Sequence, residues 1–332
     1  MKRIHWILLI VLIAAAVFVI HLQNTAPYHH DKGQIFGTYY SITYQNDTDL
    51  HEEIMKALHE VDSSLSMFNK NSTISRINRG EDINADKMLT YLFPRAQKIS
   101  ENTDGAFDIT VAPLVNAWGF GFKENKWPTD QQIDSIRAFV GYKKVKLEDG
   151  KIVKNDPRIM VDLSAIAKGY GSDMVAKVLD RAKVRNYMVE IGGEIVTKGK
   201  NEKGENWKIG IAKPTENEEE QGDYQCIMQL TDCAAATSGN YRKFFYKDGK
   251  KYAHTIDPKS GYPVQHDIIS ATVLAPACYE ADAYATSFMV MGLEKAKSVI
   301  ESNKDLEAYF IYVRDGKQQI WMSKGFGEHI VK

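Results

Sequence analysis

The sequence predicts an α+β fold, with mixed, largely antiparallel sheets and helices packed on them. Three Asp-Gly pairs (Asp149-Gly150, Asp248-Gly249 and Asp315-Gly316) each sit between strand-like runs. Asp-Gly in that setting is a hairpin signal, because both turn residues accept positive φ. Long apolar-periodic stretches, such as Leu50, Ile54, Leu58, Val61 and Leu65, give helices between the strands. Helices and hairpins mix without regular βαβ alternation and without a dinucleotide glycine fingerprint, which argues against a doubly wound sheet.

The chain has 332 residues, 42 Lys+Arg against 43 Asp+Glu, and a net charge of −1. No basic patch interleaved with aromatics is present, so no nucleic-acid surface is implied. Cys226, Cys233 and Cys278 have neither metal-ligand spacing nor a disulfide framework and are read as free thiols.

The elements follow in order. Lys2 and Arg3 precede an uncharged run from Trp6 to Ile20, a positive n-region ahead of an apolar segment. Residues 1–24 are therefore expected to be a signal peptide or a signal anchor, sending the rest of the chain outward across a membrane. Residues 25–32, with His29-His30, read as a polar linker. A helix covers about 50–65, and the polar stretch 66–78 reads as a loop. A second helix covers about 87–101, with Pro94 starting or kinking it. Thr103-Asp104-Gly105 breaks the chain. Thr129 and Gln132 form a capping box for a helix to about 139.

Arg158–Val161 reads as a buried strand that runs into a helix ending near Lys183, with Ser164 as N-cap. Tyr187–Ile191, Trp207–Ala212 and Tyr224–Leu230 are strands, and the acidic stretch 215–223 is an exposed loop. A hairpin over 242–254, a strand over 270–274, helices near 280–291 and 294–301, and a closing hairpin over 309–322 complete the chain.

Two constellations carry chemistry. Asp162 and Lys168 flank a helix start, where free amides and the dipole favour an anion such as a phosphate. Asp282 and Thr286 are four apart on a helix, so their oxygens share a face and suit a hard cation such as Mg²⁺. Each has a bland alternative: ordinary capping and surface charge for the first, and an exposed Asp beside a back-bonding Thr for the second. His254, beside Asp257-Pro258, suits proton transfer near neutral pH. A lone histidine there is also commonly structural.

A series of motifs stands in order from Gly33 to the end. Phe36-Gly37-Thr38 comes first, then Ser66-Met-Phe-Asn69 and Ser72-Thr-Ile-Ser-Arg-Ile-Asn78. Thr103-Asp-Gly-Ala-Phe-Asp-Ile-Thr110, Trp118-Gly-Phe120 and Val161–Tyr170 follow. Glu190-Ile-Gly-Gly-Glu194, Ala236-Thr-Ser-Gly-Asn-Tyr241, His254-Thr-Ile-Asp-Pro258 with Gly261, and Ala281-Asp-Ala-Tyr-Ala-Thr286 close the series. In these the sequence resembles the ApbE family of FAD:protein FMN transferases, with Phe36 where the family has Met.

The resemblance implies a T-fold-like single catalytic unit over 33–332. It implies FAD contacts at Phe36, Ser66, Phe68, Ala106, Phe107, Asp108, Asp162, Lys168 and the backbone near Ile256. It implies Mg²⁺ held by the Ala165 carbonyl, Asp282 and Thr286, with His254 and Asp257 as catalytic candidates. The implied reaction moves FMN from FAD to a threonine of a membrane-bound redox flavoprotein subunit, releasing AMP, in an exported, cell-envelope enzyme. Two alternatives remain at this point: a Mg-dependent FAD pyrophosphatase giving FMN and AMP, and a non-catalytic flavin-binding module.

Overall fold

The computed structural model describes residues 5–13, 26–121, 127–215, 222–241, 244–247, 249–265 and 267–331. The architecture grows from a tight hairpin. Strand β1 (Tyr28–Ile35) pairs with β2 (Thr38–Gln45) through Phe36 and Gly37, at φ 53° and 72°. Then come β3 (Tyr187–Ile191), β4 (Glu194–Lys198), β5 (Cys233–Gly239), β6 (Ile268–Ala275), β7 (Glu307–Arg314) and β8 (Lys317–Met322). These eight strands form one sheet whose spatial order is the chain order, every neighbouring pair antiparallel.

The sheet has two halves of like design: two strands, helices, two strands. In the first half α1 (His51–Leu65), α2 (Thr73–Asn78), α3 (Lys87–Asn102), α4 (Ala112–Ala117), α5 (Asp130–Arg137) and α6 (Ser164–Arg181) lie between β2 and β3. In the second, α7 (Cys278–Met291) and α8 (Leu293–Ser302) lie between β6 and β7. The halves join where β4 pairs with β5, Ile195 opposite Ala235.

The period of two along the strands divides the core. Ala236, Val273, Ala308 and Phe310 belong to the large cluster under α3, α6 and α7. Their neighbours Ala235, Leu274, Tyr309 and Ile311 pack instead with Ile209, Met228 and Phe326, from the hairpin Trp207–Ala212/Tyr224–Leu230 and from α9 (Lys324–Glu328).

Several expectations change. Residues 28–32 are not linker but edge strand: His29 stacks on Tyr44 at 5.0 Å, and the alternating polar side chains suit a half-solvated edge. Residues 73–78, expected as loop, form α2, capped by Ser72 Oγ accepting the Ser75 N–H. Arg158–Val161, expected as a strand, begins in a turn and joins no sheet; Asn78 holds Val161 by two 2.8 Å bonds, donating Nδ2–H to its carbonyl and accepting its N–H. Pro94 sits inside α3 rather than starting a helix.

The capping box at Thr129 and Gln132 is present in full. Asp149-Gly150 and Asp315-Gly316 turn at positive φ as the hairpin signal requires, while Asp248 lies outside the described residues. Of the apolar N-terminal run, residues 5–13 are helical, with Trp6 to Ile13 exposed, and 14–25 lie outside the described residues. Among the described residues no helix is long and apolar enough to cross a membrane. Most of the acidic stretch 215–223 also lies outside them. The three cysteines are free, with Cys278 buried.

Candidate active site

The site forms where α6 meets α7, beside the joint of the two half-sheets. Gly169 sets the approach: an ideal Cβ there would lie 2.3 Å from Cys278 O and 2.9 Å from Asp282 Cβ. Only a residue without a Cβ lets the two backbones come this close. The Gly169 N–H donates to Asp282 Oδ2 at 3.0 Å. Asp173, one turn further along α6, accepts the N–H groups of Cys278 (2.8 Å) and Tyr279 (2.9 Å). It caps α7, whose own N-cap residue Ala277 offers no side-chain bond.

This cap titrates in the working range. Burial pushes the Asp173 carboxyl up to about 7, while the two amides pull it down. A carboxyl whose folded value lies above its unfolded one contributes stability that is full below about pH 4 and lost as pH rises through about 7. A shift of that size corresponds to on the order of 4 kcal/mol. Thermal melts between pH 4.5 and 8 are expected to show wild type losing stability relative to Asp173→Asn; parallel profiles would reject the assignment.

Lys168 reaches the joint between the halves. Its Nζ donates to Glu194 Oε1 and lies 3.8 Å from Asp282 Oδ1. Burial opposes the lysine charge, yet Asp282 and Glu194 outweigh it and hold the ammonium above the ordinary lysine range. Burial raises the Glu194 carboxyl, with Lys168 alongside opposing. Glu194 Oε2 is buried without a hydrogen-bond partner. Thr286 Oγ1 lies 3.2 Å from Ser238 Oγ on β5. Among the described residues no group of three or more His, Cys, Asp or Glu is placed to hold a metal.

The start of α6 is built differently from the expected cap. Ser164 is the first helical residue, and Asp162 Oδ1 accepts its N–H at 2.8 Å. The Asp162 N–H donates to Ile109 O at 2.7 Å, which ties the 103–110 loop to this helix start. Burial raises the Asp162 carboxyl, and its bonds to Ser164 oppose that. Ala165 lies in the first turn of α6. Phe36 lies against the same helix: a Cβ on Gly171 would meet its ring at 2.7 Å. An aromatic residue at φ 53° is a genuine backbone outlier, and this packing holds it there.

Asp162, Ala165 and Lys168 thus lie at or near the start of α6, Phe36 packs against that helix, and Asp282 and Thr286 lie on α7, with Lys168 and Asp282 meeting at 3.8 Å. The other candidates make the following contacts. Phe107 is a core residue, 3% exposed. Asp108 Oδ1 accepts from Thr110, and Oδ2 accepts the Tyr142 N–H at 2.8 Å. Ala106 is buried against Val264 and Val290. Ile256 packs with Trp118 and Ile133.

Asp257 accepts the amides of Lys259 (2.9 Å) and Ser260 (3.2 Å), so both its oxygens shape its own turn. That turn is fixed from outside as well, by Trp118 Nε1 donating to Gly261 O and Arg137 Nε to Lys259 O. His254 directly follows the strand Lys250–Ala253, with Phe120 edge-on at 6.4 Å. Ser66 Oγ accepts the Asn69 N–H in the loop after α1, and Phe68 there is 73% exposed. Glu194, Asp173 and Ser238 were not foreseen as site residues. A glutamate directly after paired glycines at a strand start was the visible signal for the first.

In this α+β fold a lysine stands between two carboxylates, Glu194 and Asp282, where α6 meets α7. The chain belongs to the ApbE family, whose model matches residues 36–310. It is 39% identical over 323 residues to a FAD:protein FMN transferase of Haemophilus influenzae, covering 92% of each chain. A protein of that name from Vibrio cholerae is 37% identical, with 92% and 94% covered. Among solved structures, a flavin transferase ApbE of Vibrio cholerae superposes with a TM-score of 0.84 at 37% identity, over 92% of this chain and 99% of that one. The apo form of a Pseudomonas stutzeri flavinyl transferase ApbE gives 0.82 at 30% identity, over 91% and 96%.

Proposed function

We propose that this chain is a FAD:protein FMN transferase that moves the FMN half of FAD onto a threonine hydroxyl of a partner flavoprotein. The observation that carries this is the Lys168–Asp282–Glu194 cluster at the α6–α7 junction, in a chain of this family. The threonine oxygen forms a bond to the FMN phosphorus. The bond from that phosphorus to the bridging oxygen breaks, its electron pair leaves with AMP, and the hydroxyl proton goes to a base. Lys168 pairs with the pyrophosphate, and Asp162 orders the helix start beneath it.

The residues fit Mg²⁺. Without a carboxylate cluster, a cation here leans on mixed hard oxygens: Asp282, the Thr286 hydroxyl and the Ala165 carbonyl. When bound, Mg²⁺ supplies charge neutralisation at the phosphate oxygens. The positive residues before the apolar N-terminal run support export, with the catalytic unit facing outward from the membrane and a membrane-bound flavoprotein subunit as acceptor.

The decisive experiment adds FAD and Mg²⁺ to the chain lacking residues 1–24 and measures AMP with and without a candidate acceptor. The acceptor's intact mass is read in parallel. AMP release coupled to an FMN-sized mass gain supports the transferase. Equal AMP without acceptor and no mass gain means hydrolysis instead, and bound FAD with no AMP means a binding module.

His254→Ala is expected to slow transfer by on the order of 100-fold with FAD affinity nearly unchanged. Single-turnover transfer and flavin fluorescence titration separate the two effects. A change in binding alone places the base elsewhere.

A further inference from the structure

Asp282 faces two cations in the proposed reaction. Its Oδ1 already lies 3.8 Å from Lys168 Nζ, and Mg²⁺ needs the same carboxylate. A buried ammonium that loses its anion is costly. Glu194 stands beside it. Glu194 is the first residue of β4 and only 3% exposed, with Ser172 Oγ fixing its backbone by donating to its carbonyl at 2.9 Å. Oε1 accepts from Lys168, and the buried Oε2 has no partner. The turn at Gly192 encloses Oε2, since a Cβ there would come within 3.4 Å of it.

We propose that Glu194 is a positioning residue for Lys168: when a divalent cation takes Asp282, the second Glu194 oxygen receives the ammonium and keeps it in the site. This deepens the proposed function and rests on its Mg²⁺ site. An ammonium carries three donors, so one carboxylate can hold it through both oxygens. Glu194 then acts on metal affinity only through Lys168. With Glu194 neutral, Lys168 leans on Asp282 alone and competes with the ion. With Lys168 removed, nothing competes and Glu194 no longer matters.

The test is Mn²⁺ binding to the full chain without FAD, by electron paramagnetic resonance, in a double-mutant cycle. Glu194→Gln is expected to weaken Mn²⁺ binding by on the order of 10-fold, and the Lys168→Met/Glu194→Gln double variant to match Lys168→Met within about twofold. An equal loss in both backgrounds would mean that Glu194 acts on the ion as a bare charge, and overturns the proposal. No loss in either background overturns it too.

Asp282→Asn separates this from the underlying site. If that variant binds Mn²⁺ like wild type, or wild type binds none, the metal site itself is wrong. Should Glu194→Gln fail to fold, Glu194→Asp, which keeps the charge but shortens its reach to Lys168, takes its place in the cycle. A loss of Mn²⁺ affinity in the lysine background alone supports the proposal, and a loss in both backgrounds or in neither overturns it.

Discussion

Asp282→Ala is expected to lower Mg²⁺-dependent AMP release by on the order of 100-fold or more while the fold survives. Asp282 is 3% exposed, and both its oxygens face the site: Oδ2 takes the Gly169 N–H, and Oδ1 faces Lys168. Truncation leaves that amide without its side-chain acceptor, a cost of about 1–3 kcal/mol. The ammonium keeps Glu194, so no charge is left alone. Activity thus falls far more than stability. AMP release across a Mg²⁺ titration, with a thermal melt beside it, checks both halves. Near-wild-type turnover would remove the metal assignment.

Gly169→Ala is expected to be strongly destabilising. The added methyl meets Cys278 O at 2.3 Å and Cys278 C at 2.7 Å, which are backbone atoms that cannot turn aside. The helices must separate, at a cost of about 1–3 kcal/mol for a forced overpacking and more if Asp173 loses its hold on α7. For a chain of this size that is roughly 1–2 °C in Tm per kcal/mol. Gly171→Ala is the comparison. Its methyl meets side chains, the Phe36 ring at 2.7 Å and Ile191 Cδ1 at 3.6 Å, and a side chain can rotate away. Melts that rank Gly171→Ala as the worse substitution would refute this account of the junction.

The outer elements were legible because their signals are local. The hairpins at Asp149-Gly150 and Asp315-Gly316, the capping box at Thr129, and the helix His51–Leu65 follow from turn chemistry and apolar period. The central strand Cys233–Gly239 was not legible. Its run of alanines has poor strand propensity, and burial between two neighbours makes it a strand. Tyr28–Ile35 was hidden by its polar residues, which an edge strand tolerates.

In the site, Lys168 and Asp282 were visible as motif residues, but their meeting was not. It depends on Gly169, on the cap that Asp173 supplies across helices, and on Glu194 arriving from a strand. Each of these is a contact between residues more than twenty positions apart, which no periodicity reports. The loop residues Asp108 and Asp257 carried the same kind of motif signal, and their carboxylates accept backbone amides of neighbouring turns.

The sheet that follows chain order has a consequence for biosynthesis. Its first and last strands lie on opposite edges, seven spacings or roughly 34 Å apart. A chain emerging from the ribosome can add each strand to the one before it, with no earlier edge held open for a late arrival. Chemistry waits all the same. Lys168 and Glu194 come from one half and Asp282 from the other, so a polypeptide stalled before Cys278–Met291 possesses most of the scaffold and the Lys168–Glu194 pair but lacks Asp282. The charged centre is complete only near the end of the chain's own synthesis.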